Sequence, residues 1–245
     1  MNGWSRPWWW LLDYAYAGRR QLLALVRRRS PDAYLRGDPS LPAIVLLPGV
    51  YETWLFLEPA ARRLNQDGYR VYTVPGLGFN KRPVPESARI VGQRLRELHH
   101  LHGVGDFLLL AHSKGGLTGK HVMLDALLSA RTETGPGTDR EIRLRGLVAI
   151  GTPFAGSVYA KYLFSRTLRH FSPTNAVLIS LQAQEAVNDR IVSIYPEFDP
   201  HIPAGSALAG AMNVRLHVAG HFRTLREPVV LAAVDDAVAF LSRDR

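Results

Sequence analysis

From Ala43 to the C-terminus the chain alternates short apolar runs of strand length with longer segments of helical spacing, and no other feature narrows its possible folds as much. The strand-like runs lie at 44–47, 70–74, 107–111, 144–150, 190–195 and 214–218; the helical segments lie at 56–66, 87–100, 116–130, 176–187 and 228–241. Strand and helix in repeated succession imply crossover connections, and so an α/β fold with a mostly parallel central sheet and helices on both faces. Asn65-Gln66-Asp67-Gly68 closes the first helix with turn chemistry, and residues 132–139, with Gly135-Pro136-Gly137, read as an exposed loop. With 47% hydrophobic residues in a chain of 245 and no internal repeat or linker, residues 37–245 suffice for one core. The segment 154–173 breaks the alternation. It carries Val158, Tyr159, Tyr162, Leu163, Phe164, Leu168 and Phe171 where a simple sheet needs only a crossover, and reads as a small cap, at about 154–175, over the strand ends.

Residues 1–36 differ in character from the rest. They hold seven arginines against Asp13 and Asp32, which accounts for +5 of the formal net charge of +9. The remaining residues are only mildly basic and carry no nucleic-acid-binding motif, so nucleic acid is set aside as a partner. Trp8-Trp9-Trp10-Leu11-Leu12 is interrupted by Asp13 and then Arg19-Arg20, too soon to cross a bilayer. The same short apolar stretch makes a poor signal peptide despite Ala15-Tyr16-Ala17. Two readings of residues 4–29 stand: peripheral contact with an anionic membrane, tryptophans at headgroup level and arginines toward lipid, or an arm docked on the domain. The absence of cysteine excludes disulfides, thiolate metal sites and a cysteine nucleophile. A cytoplasmic location, with or without peripheral membrane association, fits best; secretion stays open.

The segment Ala111-His112-Ser113-Lys114-Gly115-Gly116 sits between an apolar run and a helical one. Small residues flanking a serine suit a strained strand-to-helix turn that lifts the hydroxyl above the sheet and aims the next amides, at a helix N-terminus, where negative charge develops. Here the chain resembles the α/β-hydrolase family, in particular its bacterial lipases and esterases. Three further segments carry the resemblance. Leu46-Leu47-Pro48-Gly49-Val50 is similar to the oxyanion loop, with Pro48 where lipases commonly have histidine. Gly151-Thr152-Pro153-Phe154-Ala155-Gly156-Ser157 is similar to the lipase run G-T-P-H-x-G-S, with Phe154 in place of its histidine. Phe198-Asp199-Pro200-His201-Ile202-Pro203 is similar to D-x-x-[IV]-P.

The resemblance implies a Ser-Asp-His triad in that chain order. Ser113 is the expected nucleophile. His221, in a loop after the last strand, is the expected base. Asp199 is the expected acid, with Glu197 kept as the alternative; Asp189 precedes its strand and lies at the wrong end. Backbone N–H groups of Val50 and Lys114 are the expected oxyanion donors, and the Lys114 ammonium is expected in solvent. Tyr51, Phe154, Tyr159, Leu163 and Phe164 are expected to contact substrate, a small-molecule or lipid ester. No cofactor or metal is implied: Gly76-Leu77-Gly78 lacks the third glycine of a dinucleotide motif, and His99, His100 and His102 read as a solvated helix end. The activity expected is carboxylic-ester hydrolysis. An acyltransferase with the same triad and a non-catalytic binding module of the same fold are the competing readings.

Overall fold

The computed structural model describes residues 6–26, 30–132, 142–162 and 166–243. Six strands form one parallel sheet: β1 (Ala43–Leu47), β2 (Val71–Tyr72), β3 (Asp106–His112), β4 (Arg143–Ile150), β5 (Ile191–Phe198) and β6 (Met212–Ala219), in spatial order β2-β1-β3-β4-β5-β6. β1 and most of β3 are buried along their length, which explains why both are unbroken apolar runs rather than alternating ones. Edge strand β2 is only two residues long, and Pro75 soon follows it. β5 extends past the expected end at 195 to Phe198, pairing Phe198 with Ala219 across a register shift.

The helices are α1 (Arg6–Val26), α2 (Glu58–Gln66), α3 (Val84–His102), α4 (Lys114–Thr132), α5 (Arg166–Arg169), α6 (Ala176–Ala183) and α7 (Pro228–Ser242). Local chemistry sets several of their ends. Gly103, at φ 63°, closes α3 in the left-handed conformation with its N–H on the His99 carbonyl at 2.9 Å. Asn175 caps α6, accepting from Val177 N at 3.0 Å. α6 stops at Ala183, short of the expected 187. The chain must turn there into β5, and buried Asn188 pins that turn through Nδ2 to the Ala209 carbonyl at 2.8 Å.

The sheet divides two apolar clusters. One packs α3, α4 and α6 with the cap residues Phe154, Ala160 and Phe171; the other packs α2 and α7. The cap itself holds a short 3-10 turn at Val158–Tyr162 and α5. Leu163, Phe164 and residues 133–141, most of the expected loop, lie outside the described residues. Strand order reverses between β1 and β3, β1 being followed by β2 on one side and β3 lying on the other. In parallel α/β sheets the crevice at the carboxyl ends of such strands is where ligands bind. Among the described residues no helix is long and apolar enough to cross a membrane.

Candidate active site

Ser113 follows β3 at φ 52°, one of three non-glycine residues with positive φ among those described. Its N–H continues the sheet pairing to the Ile150 carbonyl at 2.9 Å, and the chain then turns straight into α4. Both glycines are required by close approach. A Cβ at Gly115 would lie 1.9 Å from the Leu47 carbonyl oxygen, and one at Gly116 would lie 2.0 Å from Thr152 Oγ1. The serine is therefore held in an unfavourable backbone conformation by packing on both sides.

His221 stands on the turn after β6, and its Nδ1 lies 2.7 Å from Asp199 Oδ2. Asp199, just past the end of β5, is itself fixed: Oδ1 accepts from the amides of His201 at 2.8 Å and Ile202 at 3.0 Å. The carboxylate thus has one oxygen for backbone and one for the imidazole, which holds a neutral ring as the Nδ1–H tautomer and leaves Nε2 to accept a proton. Glu197 points elsewhere. It is exposed and pairs with His217 at 2.9 Å and Arg215 at 3.4 Å. Burial pushes the His221 imidazolium toward deprotonation, but the Asp199 charge and hydrogen bond, with Asp13 and Glu52 behind, outweigh it and raise the pKa above the ordinary histidine value. Ser113 and His221 line one cavity; no hydrogen bond joins their side chains among the described residues.

The loop after β1 is tied down around a single amide. Gly49 N donates to Glu52 Oε2 at 2.8 Å and Tyr51 N to the Phe79 carbonyl at 2.8 Å, whereas the amides of Val50 and Lys114 have no hydrogen-bond partner among the described residues. Val50 lines the cavity, and Lys114 begins α4 immediately after the serine. Two free N–H groups beside a hydroxyl are what an oxyanion requires. Glu52, which the sequence did not single out, is 1% exposed and also meets His112 Nδ1 at 2.7 and 2.9 Å; His112 Nε2 meets the His221 carbonyl at 3.2 Å. A buried chain of contacts therefore runs from the β1 loop to His221.

The cavity measures about 380 Å3 and is walled mainly by apolar groups, among them Tyr51, Tyr159, Leu168 and Phe171. One wall comes from α1, through Trp10, Tyr14, Ala17 and Gln21. α1 lies on the domain: Asp13 and Tyr16 are buried, Arg20 pairs with Glu58 at 3.1 Å, and Gln21 donates to the Tyr51 carbonyl. The sequence signals for a docked arm were Asp13 within the aromatic stretch and the helix-weakening Gly18.

Two expected roles need correction. The Lys114 ammonium is not in solvent. The residue is 2% exposed, and Nζ donates to the Asn80 carbonyl at 2.8 Å, Asn80 Oδ1 at 2.6 Å and Ser87 Oγ at 3.1 Å. Burial lowers its pKa to about 7. α3 packs beside the start of α4 and covers a side chain that an isolated elbow would expose. Phe154 does not face the cavity either: it is 3% exposed within the core beneath the cap, since the turn at Pro153 aims it at the sheet's helix-covered face.

The parallel sheet, with the β3–α4 turn at its switch point, defines this chain as having the α/β-hydrolase fold. Among solved structures it is similar to the mature lipase BlEst2 of Bacillus licheniformis, at 14% identity and a TM-score of 0.61 over 82% of this chain and 94% of that one. It is similar also to an extracellular α/β-hydrolase from a Paenibacillus species, at 17% identity and a TM-score of 0.53 over 83% and 100%. A third is 2-hydroxy-6-oxo-6-phenylhexa-2,4-dienoate hydrolase from Rhodococcus sp. strain RHA1, at 14% identity and a TM-score of 0.55 over 83% and 92%. No protein-family model matches the chain, and neither does any curated protein. At such identities the likeness is one of fold.

Proposed function

We propose that this protein hydrolyses carboxylic esters with an apolar acyl group through an acyl-enzyme on Ser113. Ser113 Oγ attacks the ester carbonyl while His221 Nε2 takes its proton, and Asp199 stabilises the imidazolium. The amides of Val50 and Lys114 receive the oxyanion. When the tetrahedral adduct collapses, His221 returns the proton to the departing alkoxide and the alcohol leaves. Water, deprotonated by the same imidazole, then releases the acid and restores Ser113. The observation that carries this reading is the 2.7 Å contact of His221 Nδ1 with Asp199 Oδ2 beside a serine at positive φ on one apolar cavity.

The test is hydrolysis of p-nitrophenyl esters of increasing acyl length by wild type and Ser113→Ala. Turnover of medium-chain esters that disappears in the variant is expected, with acyl preference altered by Tyr159→Ala. Unchanged turnover in Ser113→Ala would overturn the reading. Peripheral contact with anionic membrane belongs to the same proposal. It would use the outward side of α1, where Leu11 is 59% and Leu22 61% exposed, and predicts cosedimentation with anionic but not neutral vesicles.

A further inference from the structure

α1 delivers one charged group to the site. Asp13 is wholly buried, and its Oδ1 accepts from three successive amides, those of His221 at 3.0 Å, Phe222 at 2.9 Å and Arg223 at 2.9 Å. The turn is shaped around that oxygen. Gly220 adopts φ 114°, and a Cβ there would lie 2.9 Å from Asp13 Oδ1. Asp13 Oδ2 faces His201 Nε2 at 3.6 Å, and the His201 ring lies 5.0 Å from that of His221. Burying a carboxylate is costly, and apolar contacts through Trp10, Tyr14 and Ala17 could seat the helix without one.

We propose that Asp13 is a positioning residue for His221, fixing the backbone that carries the imidazole and setting a second negative charge behind it. This rests on the serine-hydrolase reading. Among the described residues, five titratable or charged groups face or neighbour His221. Asp199 follows β5, and His201 lies two residues beyond it. His112 ends β3, and Glu52 backs His112 from the β1 loop. Asp13 comes from α1. Arg223, two residues along, directs its guanidinium to Glu227 at 3.2 Å. Of these groups, Asp13 is the one that binds the main chain of His221 through a charge.

The inference is tested with Asp13→Asn, which keeps shape and loses charge, and Asp13→Ser, which keeps only a short acceptor. kcat and KM for a p-nitrophenyl ester, the pH profile of kcat/KM and a thermal melt are measured beside wild type and Ser113→Ala. In Asp13→Asn, kcat should fall about ten-fold with KM nearly unchanged, and the acidic limb should move to lower pH by about half a unit to one unit. Asp13→Ser should show the same shift with a larger loss of kcat. Folded variants with wild-type kcat and an unmoved limb would overturn the role, and so would failure of both to fold, which would make Asp13 a folding determinant only. Activity persisting in Ser113→Ala would instead sink the underlying reading.

Discussion

The Lys114 ammonium clasps Asn80 by two oxygens at once, the carbonyl at 2.8 Å and Oδ1 at 2.6 Å, while Asn80 Nδ2 donates to the Pro48 carbonyl at 2.8 Å. The residue after Ser113 thus ties the β3–α4 turn to the loop that carries Val50. Lys114→Met fills similar space but leaves buried acceptors unmatched, and should destabilise the fold by about 2 kcal/mol. Because burial holds Lys114 near 7, well below its unfolded value of about 10.4, the unfolded chain binds more protons between these limits. The stability that wild type holds over Lys114→Met should therefore grow as pH rises from 7 to 10, read as a widening difference in Tm; a constant difference would contradict the assignment.

Strain at Ser113 makes a separate expectation. Glycine adopts φ 52° without penalty, so Ser113→Gly should raise thermal stability by about 1 kcal/mol while removing activity. Gly115→Ala should instead lower stability, because its Cβ would collide with backbone rather than with a flexible side chain, and a loss above about 3 kcal/mol is expected. Chemical denaturation of the two variants beside wild type checks both signs.

Asp199→Asn removes the charge facing His221 and should lower kcat severely, by about 10⁴-fold. Glu197→Gln should change it less than about three-fold, since among the described residues that carboxylate pairs with exposed Arg215 and His217. Steady-state kinetics with one activated ester distinguishes them, and the opposite ranking would move the acid to Glu197.

Turnover should rise with pH and reach half its plateau above the ordinary histidine value of about 6.5, because the folded His221 holds its proton more tightly than a free imidazole. The same shift has a stability sign. A raised folded pKa stabilises the protein fully below the unfolded pKa, and that contribution fades as pH climbs through the folded value. Paired pH series of activity and Tm for wild type and His221→Ala would show both; an activity midpoint at or below 6.5 would contradict them.

The inner strands were legible because a strand buried on both faces is apolar along its run, as β1 and β3 are, whereas β6 alternates at the sheet edge. The candidates Ser113, Asp199 and His221 came from the resemblance of the segments around them to α/β-hydrolase motifs, together with their places at strand ends. The contacts around them were not legible. Asp13 meets a loop 208 positions away in the chain, and nothing local marks a helical aspartate for that role. Lys114 reads as a solvated lysine until α3 is packed over it, and Phe154 reads as a wall of the cavity until the turn at Pro153 sends it into the core. α6 ends at Ala183, where Gln184 turns extended, and the turn into β5 is held by Asn188 on Ala209, a contact between segments that no periodicity encodes.

The most direct measurement is labelling of the intact protein with a fluorophosphonate probe, followed by peptide mapping of the adduct. An activated serine predicts one label per chain, on Ser113, at a rate that follows the His221 titration and is lost in His221→Ala. No adduct, an adduct on another residue, or undiminished labelling in His221→Ala would contradict a Ser113 nucleophile served by His221.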